Sequence, residues 1–230
     1  MCRMFAYYGQ SAERLLSLFG SLQRSAERDF RCNHPHDDGW GIVLLTKDKL
    51  MHYRSLRPIY DEEFPFNLRD EEMMTIVHAR KASPNSPRGV QFSHPFVLTN
   101  HNGTYFMAHN GSVDKQSLSN ERDLESVVDS ELLLEYIAGG NSVEKLVKDF
   151  QGKGNQGKNV INLLLLEIRR DGQATLSYYS YFEKNKECYE MFYAGDAIFS
   201  STMIDYGQNG EVVESEKFMI LGSIKTRVVR

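Results

Sequence analysis

Nine residues, Val160 to Ile168, form an apolar run interrupted only by Asn162 and Glu167. The run is far short of the roughly 20 residues a membrane-spanning helix needs. It reads instead as a strand covered on both faces. Asp171-Gly172 then signals a tight hairpin. Beyond it, Ala174, Leu176, Tyr178, Ser180 and Phe182 alternate with Thr175, Ser177, Tyr179 and Tyr181, the period of a returning strand. With the elements below, one domain of two sheets and covering helices is the simplest architecture.

The remaining elements follow from period and punctuation. Residues 3–8 read as a short apolar strand, and a helix follows from Ser11 with Leu15, Leu18, Phe19 and Leu22 on one face. Gly41 to Leu45 reads as a buried strand, and Leu50 to Arg54 pairs back on it across the turn Lys47-Asp48-Lys49. Thr75 to Ala79 is a strand, followed by a long loop with Pro84, Pro87, Gly89 and Pro95. Tyr105 to His109 is a strand ending at Asn110-Gly111. Leu124, Val127, Val128, Leu132 and Tyr136 mark a helix closed by Gly139-Gly140. Asn141 with Glu144 predicts a capping box for the next helix, whose apolar face is Val143, Leu146, Val147 and Phe150. Gln151 to Asn159 reads as a surface loop, and residues 191–200 and 217–221 as further strands. No repeat or linker divides the chain, so residues 1–230 are expected to form a single domain.

Composition removes several function classes. With 41% hydrophobic and 25% charged residues the chain is that of an ordinary globular protein. A formal net charge of -4 gives no electrostatic case for nucleic acid or an anionic membrane. The N-terminus lacks the basic and apolar regions of a signal peptide. Three cysteines, Cys2, Cys32 and Cys188, are an odd count. Without a secretion signal, that predicts unpaired thiols in a reduced, cytoplasmic protein.

All seven histidines lie between His34 and His109, most beside Gly, Asn, Asp or Arg. Cys32-x-His34-x-His36 followed by Asp37-Asp38 is the one arrangement suggesting metal ligands, but its spacing is not that of a standard zinc motif, and no metal is expected. Cys2 draws interest for another reason. If Met1 is removed, the α-amine on the same residue has an ordinary pKa near 7.7–8.0 and can serve as base for the thiol.

Five separated segments, together with the N-terminal Met1-Cys2-Arg3, carry a family resemblance. They are Asp38-Gly39-Trp40-Gly41-Ile42, His78-Ala79-Arg80-Lys81-Ala82-Ser83, His94-Pro95-Phe96, His109-Asn110-Gly111 and Asp129-Ser130-Glu131. In order and spacing they resemble the class II glutamine amidotransferases. The resemblance implies an α+β fold, a four-layer αββα sandwich of two mainly antiparallel sheets, known as the N-terminal-nucleophile hydrolase fold. It implies that Cys2 is the nucleophile, with Asn110 and Gly111 forming the oxyanion hole. It also implies that Arg80 and Asp129 bind the α-carboxylate and α-amine of the substrate. Ser83, His94 and Trp40 are weaker candidates for lining the pocket.

Lys81 replaces an aromatic residue of the large synthases, and Asn33-His34-Pro35-His36 replaces their Tyr-Arg-Gly. Both departures point to compact standalone members. The expected substrate is glutamine or a γ-glutamyl compound, with no cofactor and with an ammonia-accepting synthase as candidate partner. Two alternatives stay open: an N-terminal-nucleophile hydrolase of another amide, and a non-catalytic glutamine-binding regulatory module.

Overall fold

The computed structural model describes residues 1–83, 86–119, 124, 126–152, 159–214 and 216–228. In chain order the elements are β1 (Arg3–Gly9), α1 (Ala12–Glu27), β2 (Trp40–Thr46), β3 (Leu50–Ser55), β4 (Met73–Ala79), β5 (Phe96–Thr99) and β6 (Gly103–Ser112). There follow α2 (Asp129–Ala138), α3 (Val143–Gly152), β7 (Val160–Arg169), β8 (Gln173–Tyr181), α4 (Lys186–Tyr189), β9 (Met191–Tyr193), β10 (Ala197–Ser200), β11 (Glu211–Val212) and β12 (Met219–Lys225).

The strands form two sheets. One has seven strands in the order β11-β9-β10-β1-β4-β2-β3, the other five in the order β12-β8-β7-β6-β5. The ladders are antiparallel throughout. Alternation along β1 shows how the layers arise. Met4 and Ala6 point into an apolar layer shared with Phe106 and Ala108 of β6 and with Leu164 and Leu166 of β7. Phe5 and Tyr7 point the other way, onto Leu15, Leu18, Phe19 and Leu22 of α1. Burying each such leucine stabilises by about 1.5–3 kcal/mol relative to exposure. On the far side, Leu163 and Leu165 of β7 with Tyr179 and Tyr181 of β8 pack under Leu133 and Leu134 of α2 and the apolar face of α3. The result is the four-layer arrangement α1, sheet, sheet, α2 and α3.

Several expectations change. The strand of Tyr105–His109 does not end at Asn110-Gly111: β6 runs on to Ser112, with Asn110 paired to Asn162 and Gly111 to Ile161. The helix marked by Leu124 begins only at Asp129, where Glu131 Oε2 accepts from Val128 N at 3.1 Å. The cap of α3 is Ser142, whose hydroxyl accepts from Lys145 N at 3.1 Å, while Asn141 donates back to Tyr136 O at the end of α2. Of the expected loop 151–159, residues 153–158 lie outside those described; Gln151 and Gly152 are helical and Asn159 is buried. β5 and β11 carry too few residues for a readable period. Finally, Cys32 and Cys188 are joined by a disulfide across 156 residues, leaving Cys2 as the free thiol. The odd cysteine count had hidden this pair, because α4 and the segment after α1 meet only in the tertiary fold.

Candidate active site

β1 lies between β10 and β4 in the interior of its sheet, so the residue just before it emerges at a crowded strand end. Arg3 is in register with Ala79, which brings Cys2 to the start of the segment following β4. There Lys81 N donates to Cys2 Sγ at 3.4 Å. The Cys2 thiol in turn donates to Lys81 O at 3.6 Å. From the opposing sheet β6 delivers Asn110, whose Oδ1 accepts from Cys2 N at 2.8 Å. That bond fixes which way the Asn110 amide faces. Its Nδ2 has no hydrogen-bond partner among the described residues and is left as a free donor. Gly111 stands next to it in a place that admits no side chain, since a Cβ there would lie 1.9 Å from Val160 O.

Arg80 is buried, with Nη2 donating to Pro87 O at 2.8 Å and Nη1 buried without a partner among the described residues. Burial pulls its pKa down, partly offset by the nearby Cys2 thiol and Asp38. A buried guanidinium nitrogen left unpaired is costly unless a ligand completes it. The segment carrying Arg80 is tied to the one before β2: Asp38 N donates to Arg80 O, Arg80 N to Gly39 O, and Ala82 N to Asp38 Oδ2 at 2.9 Å. Asp129 stands at the N-terminus of α2, accepting from Val113 N and Ser130 N, both at 2.9 Å. It therefore lies just past the Asn110-Gly111 end of β6.

The remaining candidates are placed as follows. Trp40 is fully buried on the α1 side of its sheet, against Phe19 and Tyr53, with its indole N–H on Glu62 at 2.6 Å. Ser83 is exposed on the loop after Arg80. His94 is buried with its ring 4.2 Å from that of His78, and none of their four ring nitrogens has a partner among the described residues. Burial pushes both well below the ordinary histidine range, His78 to about 3, so both are neutral. The backbone carrying His94 passes close over Gly41, where a Cβ would meet His94 O at 2.3 Å.

Behind Cys2 lies a polar cluster that sequence reasoning missed. The fully buried Arg3 guanidinium pairs with Asp29 Oδ2 at 2.6 Å. His36 Nε2 meets the same oxygen at 2.8 Å, and Thr202 Oγ1, Arg31 N and Cys32 N donate to Asp29 Oδ1. Burial alone would raise the Asp29 pKa, but the His36 hydrogen bond and the Arg3 charge hold it far below the carboxylate range. Arg3 also reaches Cys2 O and Cys188 O. The one sequence signal was a charged residue opening an otherwise apolar strand. Ligand atoms of Asp29, His34 and His36 lie within 4.8 Å of one another. A cation there would compete with the Arg3 guanidinium already bound to Asp29, and Cys32 is held in the disulfide.

Two stacked antiparallel sheets between helices, with a buried cysteine just before an interior strand and an asparagine from the second sheet bonded to its backbone, form an N-terminal-nucleophile hydrolase fold. The family model for class II glutamine amidotransferases matches residues 1–178, and the chain belongs to that family. It superposes on glutamine phosphoribosylpyrophosphate amidotransferase from B. subtilis, complexed with ADP and GMP, with a TM-score of 0.59 and 17% identity over 98% of its own length. The same figures hold for a structure described as the allosteric regulatory enzyme of purine biosynthesis. The chain spans 49% of the length of each. A predicted glutamine amidotransferase from Pseudomonas aeruginosa gives a TM-score of 0.39 and 16% identity, covering 95% of this chain and 92% of that one. No curated protein matches in sequence.

Proposed function

We propose that this chain hydrolyses the γ-amide of glutamine, or a γ-glutamyl compound, through the Cys2 thiolate and a glutamyl thioester, once Met1 is removed. The observation that carries the reading is the 2.8 Å bond between Cys2 N and Asn110 Oδ1. It couples the proposed base to the side chain that would hold the oxyanion. The amine takes the Sγ proton, and the thiolate attacks the amide carbon. Asn110 Nδ2 and the Gly111 N–H hold the charge that develops on oxygen. The ammonium returns its proton to nitrogen as ammonia leaves. Water then cleaves the thioester to give glutamate. Arg80, with a nitrogen unpaired, suits a bidentate grip on the α-carboxylate. Asp129 would receive the α-amine. Ammonia would leave to solvent or to a separate synthase.

Intact mass and N-terminal sequencing come first, to establish a free Cys2 amine. Processed protein should then release ammonia from glutamine and take up one equivalent of a glutamine-derived chloroketone on Cys2, with both lost in Cys2→Ala. Turnover persisting in Cys2→Ala, or a processed wild type that neither turns over nor labels, sinks the reading.

A further inference from the structure

The hydrogen bonds around His36 are mismatched while Met1 is present. Asp29 is an ionised acceptor holding Arg3, so His36 Nε2 must carry the proton it shares with Asp29 at 2.8 Å. A neutral ring then has only a lone pair at Nδ1. Yet Nδ1 lies 3.0 Å from Met1 O, which is also an acceptor. A doubly protonated ring would satisfy both sides. Burial and the neighbouring Arg3 oppose that, lowering the His36 pKa to about 4 despite the Asp29 contact. The groups facing the ring are Arg3 from β1, Asp29 from the segment after α1, and His34 beside it. None of these groups donates to Nδ1 among the described residues. Nδ1 is therefore built for a donor, and the carbonyl now opposite it is the group that leaves with Met1.

Met1 O is separated from Cys2 N by one carbon, a distance of about 2.3 Å from standard bond lengths. Nδ1 consequently lies within about 5.3 Å of Cys2 N, a span closed directly or by one water.

We infer that His36 is a positioning residue for the Cys2 amine, accepting one of its N–H groups at Nδ1, directly or through a water, once Met1 is gone. The inference rests on the reading of Cys2 as an N-terminal nucleophile. Asn110 Oδ1 already accepts one N–H of that nitrogen. With the second held toward His36, the lone pair is turned to the remaining direction, where the thiol proton must be collected. Asp29 and Arg3 would act one step removed, by holding the ring in the tautomer that accepts.

Two substitutions in processed protein separate this role from a structural one. His36→Gln can keep a donor near the position of Nε2 for Asp29 but has no acceptor near that of Nδ1. His36→Asn keeps an acceptor near Nδ1 and loses the reach to Asp29. Positioning predicts that His36→Gln loses about 10–10²-fold in kcat for glutamine with KM unchanged, and that His36→Asn stays nearer wild type. The opposite order, equal losses, or wild-type kcat in His36→Gln overturns it. Should His36→Asn fail to fold, the kcat of His36→Gln decides alone by the same criterion. Processed wild type inert toward both glutamine and the chloroketone overturns the nucleophile reading and this inference together. Active wild type with an unaffected His36→Gln overturns only the latter.

Discussion

In the proposed reaction Asn110 would divide two tasks between the two atoms of one amide. Oδ1 is engaged by Cys2 N, and Nδ2 would meet the developing negative charge. Asn110→Ala is therefore expected to lower kcat by about 10²–10³ with little change in KM. Asn110→Asp keeps the acceptor and should fall at least as far, since it replaces the donor with a charge; steady-state ammonia release measures both. Arg80→Lys should instead raise KM most for substrates with a free α-carboxylate, because an ammonium cannot reproduce the planar fork. Equal losses for α-amidated glutamine would count against the clamp. The motif residues stand out in the sequence because each lies in a short segment of its own. Arg3, Asp29 and His36 were not, because they are distant in sequence and meet only when β1, the segment after α1 and β10 close on one another. Trp40 shows the reverse: a motif residue whose side chain faces α1, because the alternation of β2 turns it away from Gly41.

At the scale of elements, the continuation of β6 through Asn110-Gly111 matters most. Asn-Gly is a common turn signal, and only pairing to β7 reveals a strand. Gly111→Ala forces a Cβ against Val160 O at 1.9 Å. It should lower both kcat and Tm, as judged by turnover and thermal melting together. Ser142→Ala removes the α3 cap at some distance from Cys2. It should cost about 1 kcal/mol in chemical denaturation with kcat unchanged. The cap was misplaced by one residue from sequence because Asn141 and Ser142 are both competent caps. Which one serves depends on Tyr136 O, supplied by the preceding helix.

At the scale of the whole molecule, four buried histidines are held neutral. Burial depresses His36, His78, His94 and His109, the first two to about 4 and about 3. In the unfolded chain they take up protons below about pH 6.5, whereas the folded chain resists until lower pH. The unfolded state thus binds more protons in that window. Stability is fully present above about pH 6.5 and lost as pH falls toward 4, by about 1.4 kcal/mol per pH unit for each fully affected histidine. Tm should drop steeply between pH 6.5 and 5, before carboxylates titrate; a flat profile there would contradict the burial argument. The layered architecture itself was readable because Val160 to Ile168 had to be covered on both faces. The Cys32–Cys188 pair was not, since its partners lie 156 residues apart. Thiol titration of denatured, unreduced protein should find one free group rather than three.

The position of Cys2 at the mouth of an interior strand bears on how the protein can be handled. Met1 O is held against buried His36, and Cys2 itself is buried, so this end of the chain is built into the molecule. On the proposed reading, an affinity tag fused ahead of Cys2 would block its amine.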